Sequence, residues 1–316
     1  MHYYTRKLLS TLITLFLVSV LTFSIFQLVP GDPAQMILGV DANPQQIEAL
    51  RSTMDLDKNP VIRYTNWVLR ALKGDFGTSY KYQRPVAALI SSSITITAQL
   101  AFLSLLLSIL IGIPVGIFIA KRDKEKKVIP LSILSQLGMA IPSFCVAILL
   151  IDIFSIKLKI LPSLGYIPFS ESPFGCFKSL LLPSLSIAFG GAAVIIRYLR
   201  SNIVSERRED YVRTNRSIGL SENQILYKHI LRNSLIPVIT IFGILVSEVL
   251  GGSIIIENVF SLPGIGKLIT SSITSRDLPL IQALVLYLSI IVVITNMIVD
   301  LLYGVIDPRI RIKGDD

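Results

Sequence analysis

Gly264-Ile265-Gly266-Lys267 is the stretch of this chain that comes nearest to phosphate-binding chemistry. A GxxxxGK[ST] loop would need glycine at 261 and Ser or Thr at 268, and the chain has Ser261 and Leu268. The pattern reads as a glycine-rich turn, and the chain shows no energy source of its own. Cys145, Cys176, His2 and His229 do not stand at metal-ligand spacing, so no metal site and no Cys/His nucleophile system is expected. Cys145 lies in an apolar run and reads as a small packing residue. No carboxylates pair on one span face, so no catalytic constellation is expected and the chain reads as a non-enzyme.

Three carboxylates within apolar blocks remain: Asp152, Glu248 and Asp300. A charge at the centre of a membrane span costs about 2.5–3.5 kcal/mol on insertion scales, so such groups face a bundle interior, a partner or a water-filled path. Glu248 fits either a hydrogen-bonded interface residue or a negative group lining a substrate route. Ser247 beside it, with Pro142 and Ser143 in the third span, completes the candidate substrate path. Asp300 is expected to be structural, paired with a basic residue near the inner surface, and Asp152 to be interfacial.

The elements that must position these groups are membrane helices. The 316 residues are 52% hydrophobic and only 16% charged, and the apolar residues come in long blocks; a soluble domain carries about 25% charge. The net charge of +9 falls in short segments between those blocks, as topology signals and not as a nucleic-acid stripe. The reading is an all-α polytopic membrane protein with six spans, at about 8–29, 96–120, 128–155, 180–198, 235–254 and 280–303. Residues 8–29 carry no charge and would reach about 33 Å as helix. Arg6 and Lys7 precede them and VPGDP follows in place of a small-residue cleavage site, so they read as an uncleaved first span with a cytoplasmic N-terminus.

Residues 30–93 form the longest polar interval and read as an extracytoplasmic insert. Within it, Gln45–Leu56 and Pro60–Lys73 are predicted helices capped by Asn43 and Asn59. Gly112, Pro114 and Gly116 in the second span suit close packing or a kink. The segment 121–127, KRDKEKK, has five basic residues in seven and marks the inside. A basic tail with Arg309, Arg311 and Lys313 puts the C-terminus inside as well.

Residues 200–235 differ from the other connections. Glu209–Pro237 is too polar to cross a bilayer, and Arg197–Arg232 carries eight Lys/Arg, which places it in the cytoplasm. It reads as two short helices broken at Gly219, with Ser221 and Gln224 forming a capping box on the second. Ile225, Leu226, Ile230, Leu231 and Leu235 give that helix one apolar face to pack. Tyr211, Val212 and Thr214 on the first helix suit a docking surface.

At these residues the chain resembles the permeases of ABC importers, in the dipeptide/oligopeptide/nickel branch. DYVRTNRSIGLSENQILYKHILRNSLIPV is similar to that family's cytoplasmic EAA loop. VPGDPA at 29–34, GDFGTS at 74–79, IPSF at 141–144, LPSLGY at 161–166, GGSIIIENVFSLPGIG at 251–266, RDLPLIQ at 276–282 and DLLYGVIDPRIR at 300–311 resemble its other motifs, in order. The resemblance implies a type I ABC importer permease fold and a prokaryotic cell-membrane location. It implies these partners: a second, homologous permease in a heterodimer, two cytoplasmic ATPases that bind ATP and Mg, and an extracytoplasmic substrate-binding protein. The cytoplasmic loop would be the coupling helix, with Asp210, Tyr211, Val212, Arg213, Thr214, Asn215, Gly219, Leu220 and Ser221 as the ATPase contact. Asn215 departs from the family's usual alanine, which would loosen the first helix or add a hydrogen bond to the ATPase. Di- and oligopeptides are the expected cargo, with nickel, a metal chelate or glutathione as alternatives.

Overall fold

The computed structural model describes residues 2–28, 33–38, 43–53, 57–123 and 125–306. Thirteen α-helices occur among them, with no strand beyond an isolated bridge between Thr78 and Pro85. They are α1 (His2–Leu28), α2 (Pro33–Leu38), α3 (Pro44–Thr53), α4 (Pro60–Leu72), α5 (Val86–Lys121), α6 (Ile129–Ala140) and α7 (Ser143–Leu150). Then follow α8 (Pro173–Glu206), α9 (Asp210–Ser217), α10 (Glu222–Ile225), α11 (Leu231–Val259), α12 (Ile265–Thr274) and α13 (Leu278–Ile306). Among the described residues five helices are long and apolar enough to cross a membrane, and up to six spans result if one bent pair counts as a single span.

That bent pair is the expected third span. Lys126–Ala140 and Ser143–Lys157 meet at 114°, where a single helix over 128–155 was expected. Pro142 causes the break. The residue before a proline is driven out of the helical region, and Ile141 is extended at φ −85°, ψ 123°. Pro142 then opens α7 as its N-cap residue, and α7 continues as a π-helical stretch, Ile151–Lys157. Asp152 lies in that stretch and pairs with Lys157 at 2.6 Å, both well exposed.

Other spans run longer than their apolar windows. The second starts at Val86, ten residues before the expected 96. The fourth, α8, has 34 residues where 180–198 was expected; Ser172 caps it by accepting from the Gly175 N–H at 3.0 Å. At 1.5 Å per residue α8 reaches about 51 Å, well beyond a hydrocarbon core of about 30 Å. In the polar insert, Asn43 and Asn59 cap α3 and α4 as expected, accepting from Gln45 N–H at 3.1 Å and Val61 N–H at 2.9 Å. Residues 29–32 of VPGDPA, residues 54–56 and the basic tail lie outside the described residues, as does the Asp300 side chain.

The chain divides into two compact units, residues 1–95 with 264–294, and residues 96–263 with 295–316. In the first, Val86, Leu89 and Ile90 of α5 pack with Ile265 and Leu268 of α12 and Leu280 and Leu284 of α13. In the second, α8 is the hub, with α6, α7 and α11 packed on it. Small residues set that approach: a Cβ at Gly112 would stand 2.8 Å from Ile195 Cβ, and one at Gly138 2.8 Å from Ala193 Cβ. Close packing, and not a kink, is therefore the use of Gly112, and α5 continues through Pro114.

Candidate functional site

The polar segment after α8 folds as two helices meeting at Gly219. Asp210 sits in the first turn of α9, where a negative charge complements the helix dipole. Gly219, at φ +86°, ends α9. Its N–H donates to Arg216 O at 3.0 Å and the Leu220 N–H donates to Asn215 O at 3.2 Å, which is a Schellman closure. The expected capping box follows: Ser221 Oγ accepts from the Gln224 N–H, and Gln224 Oε1 accepts from the Ser221 N–H at 3.1 Å. Asn215, at the position flagged for its departure from alanine, lies within an intact helix, and its backbone carbonyl takes part in the closure.

The second helix does not stop. α10 passes through a π-helical stretch, Leu226–Ile230, into α11, and Pro237 lies inside α11. α9 and α10 form an elbow bent at Gly219, and its second helix and the expected fifth span are one continuous helical run. Ile225, Leu226 and Ile230 are buried with Ile195, Leu199 and Ile203 of α8, and Leu231 and Leu235 pack against the same cluster. The apolar face read from the sequence therefore packs within this chain.

Polar contacts tie the elbow to three spans. The Tyr211 hydroxyl donates to Glu206 Oε2 at 2.5 Å, and Asn233 Nδ2 donates to the same oxygen at 3.3 Å. This node joins the end of α8, the start of α9 and the start of α11. Burial, then the Glu206 carboxylate, push the Tyr211 phenol up to about 12. Arg207 Nη1 donates to Ala120 O at 3.0 Å near the end of α5, and Arg200 pairs with Asp123 at 2.7 Å. Across the Gly219 turn, Arg216 makes two hydrogen bonds to Glu222, at 2.7 and 3.3 Å. The Arg216 guanidinium holds the Glu222 carboxyl below its ordinary range.

The expected contact residues divide by face. Asp210, Arg213, Thr214, Gly219 and Ser221 are exposed, Tyr211, Asn215 and Leu220 are half-buried, and Val212 is fully buried in the α8 cluster. Val212 is packed against the spans, a correction to its reading as an exposed docking residue, and the half-buried Tyr211 is bonded to Glu206. Ile218, which sequence reasoning passed over, is 69% exposed beside Gly219, and Tyr227 is 54% exposed. Helical spacing alone does not tell which side of so short a helix meets the bundle.

Along the candidate path, Pro142 and Ser143 sit at the α6–α7 bend. Glu248 is exposed, and Ser247 Oγ donates to Asn296 Oδ1 of α13 at 3.1 Å. α7 packs on α11, so the bend and the Glu248 helix belong to one neighbourhood of the second unit. Two carboxylates missed in the sequence are fully buried. Glu257 accepts from Thr97 Oγ1 at 2.7 Å. Asp277 accepts from Ser79 Oγ and from the Tyr80 and Lys81 N–H groups, and burial with the Asp277 charge raises the Tyr80 phenol to about 12. Gly264–Lys267 opens α12, with Ile265 and Gly266 buried, and serves as a packed helix start.

Residues 112–312 match the family described as binding-protein-dependent transport system inner membrane component, and residues 1–101 match its N-terminal family. The chain belongs to this family of transport permeases. The permease is 37% identical over 307 residues to a putative peptide transport system permease protein of Brucella abortus (strain 2308), covering 97% of this chain and 98% of the relative. It is 38% identical over 314 residues to the glutathione transport system permease protein of Escherichia coli (strain K12), covering 99% and 100%. Its fold is similar to that of a chain of the MetNI methionine ABC transporter in an inward-facing conformation, with a TM-score of 0.55 and 17% identity over 69% of this chain and 96% of that one. The permease is a membrane component of a binding-protein-dependent transport system and not an enzyme, and it has several helices long and apolar enough to cross a membrane.

Proposed function

We propose that this permease imports peptides, and that the elbow around Gly219 is where a cytoplasmic ATPase drives it. The observation that carries the coupling role is the node of Glu206, Tyr211 and Asn233, which fastens the exposed α9 to both α8 and α11. A push on α9 is then shared by two spans and cannot be absorbed in a loose loop. Ile218, Arg213, Thr214 and Ser217 offer the outward face, and Asn215 is placed to add a polar contact at its edge. ATP and Mg belong to the partner ATPases. A second homologous permease completes a heterodimer, and an extracytoplasmic binding protein delivers cargo to the side of residues 30–93. The basic segments at 121–127 and 197–232 support cytoplasmic termini.

Peptide cargo is supported by relatives over the whole length whose names carry peptides and glutathione, itself a small peptide. Glu248 would then meet the cationic amino end of such a cargo. The test is Ile218→Asp in the assembled transporter. Uptake and binding-protein-stimulated ATPase activity should both fall by about tenfold, the equivalent of about 1.4 kcal/mol of docking energy, with membrane level unchanged. Normal uptake and stimulation would overturn the docking assignment.

A further inference from the structure

We propose that α4 is an interfacial anchor, lying in the lipid surface at the C-terminal end of α1. Its thirteen residues reach about 20 Å, too short to cross a bilayer. Around its axis three faces separate. Tyr64 and Trp67 meet α1: Ser19 and Tyr64 hydroxyls stand 2.8 Å apart, and Phe23 packs against both rings, at 5.4 and 6.0 Å between centroids. Arg63, Asn66 and Arg70 form a polar face, with Arg63 donating to Gln27 at 2.9 Å. Val61, Ile62, Leu69 and Leu72 form a third face, apolar and 49–79% exposed.

The occupant of that apolar face follows from where α4 is attached. Ser19, Phe23 and Gln27 lie on one side of the last turns of α1, and the apolar span of α1 runs over Thr5–Ile25. Leu21 and Ile25, in the same turns of α1, are themselves 59% and 57% exposed, on a helix whose apolar window is only 11% buried. α4 is thus fixed at the depth where hydrocarbon gives way to headgroups. An amphipathic helix with Trp, Tyr and Arg at that depth places its apolar face among acyl chains and its cations among phosphates. Lipid is therefore the one occupant continuous with the surface that α1 already presents. This inference needs only the membrane span of α1 and not the import reading.

The experiment uses the full transporter in proteoliposomes, with Cys145 and Cys176 replaced by alanine. A bimane fluorophore is attached in turn to Leu72→Cys, Leu69→Cys and Asn66→Cys. The probes at 72 and 69 should be quenched by brominated lipid and spared by aqueous iodide, and the probe at 66 should show the reverse. Iodide quenching at 72 and 69 would mean a solvated helix. Protection from both quenchers would mean a protein partner on that face. Either result overturns the proposal.

Discussion

The Arg216–Glu222 pair bridges the Gly219 turn between the two elbow helices. Both groups are well exposed, so the pair contributes little to global stability, and its effect is confined to the angle between α9 and α10. The Glu222 carboxyl is held below its ordinary range, so the tie is complete at neutral pH and is lost as pH falls through that lowered value. Amide exchange at residues 216–222 should accelerate at acid pH, after correction for intrinsic rates. Glu222→Gln should show the accelerated rate already at neutral pH and little further change on acidification. The Tyr211–Glu206 bond has the opposite dependence: a raised phenol holds its proton until the pH passes about 12, so this part of the node is insensitive to any physiological change.

At the scale of elements, α8 is the helix on which α6, α7 and α11 pack within the second unit, and glycines decide how closely. Gly138 of α6 leaves no room for a methyl group, since a Cβ there would stand 2.8 Å from Ala193 Cβ and 3.3 Å from Phe189 O. Gly138→Ala should therefore cost about 1–3 kcal/mol through overpacking, read as a lower melting temperature of the purified complex. Gly190→Ala, whose nearest new contact would be an ordinary 3.6 Å, should melt as the parent does. The bend at Pro142 and the unbroken run from α10 into α11 belong to the same scale. One proline breaks a helix because Ile141 turns extended before it, while Pro237 is carried inside a long helix.

For the molecule as a whole, polar groups in and beside the apolar helices are settled in different ways. Glu257 and Asp277 are buried and hydrogen-bonded within the chain, and Ser247 is bonded to Asn296. Glu248 instead lies exposed on α11. A carboxylate in that position needs water, cargo or a partner subunit to face. Glu248→Gln should reduce uptake of a cationic peptide more than it reduces assembly with the partner subunits, measured by transport in vesicles against co-purification. Unchanged uptake kinetics would assign Glu248 to an interface.

The sequence by itself determined the features that depend on neighbours along the chain. Charge-free runs located the spans, because the bilayer asks only for length and apolarity. Gly219, Ser221 and Gln224 located the turn and the cap, because a left-handed residue and a capping box are satisfied within six residues. The order of motifs pointed to the family. Tertiary structure decided what depends on distant partners. Val212 turned inward and Ile218 outward because α8 lies on one side of α9. Glu257 found Thr97 and Asp277 found Ser79, residues far apart in sequence that no local pattern pairs. The third span broke because Pro142 drives Ile141 out of the helical region, a backbone effect that hydropathy does not report.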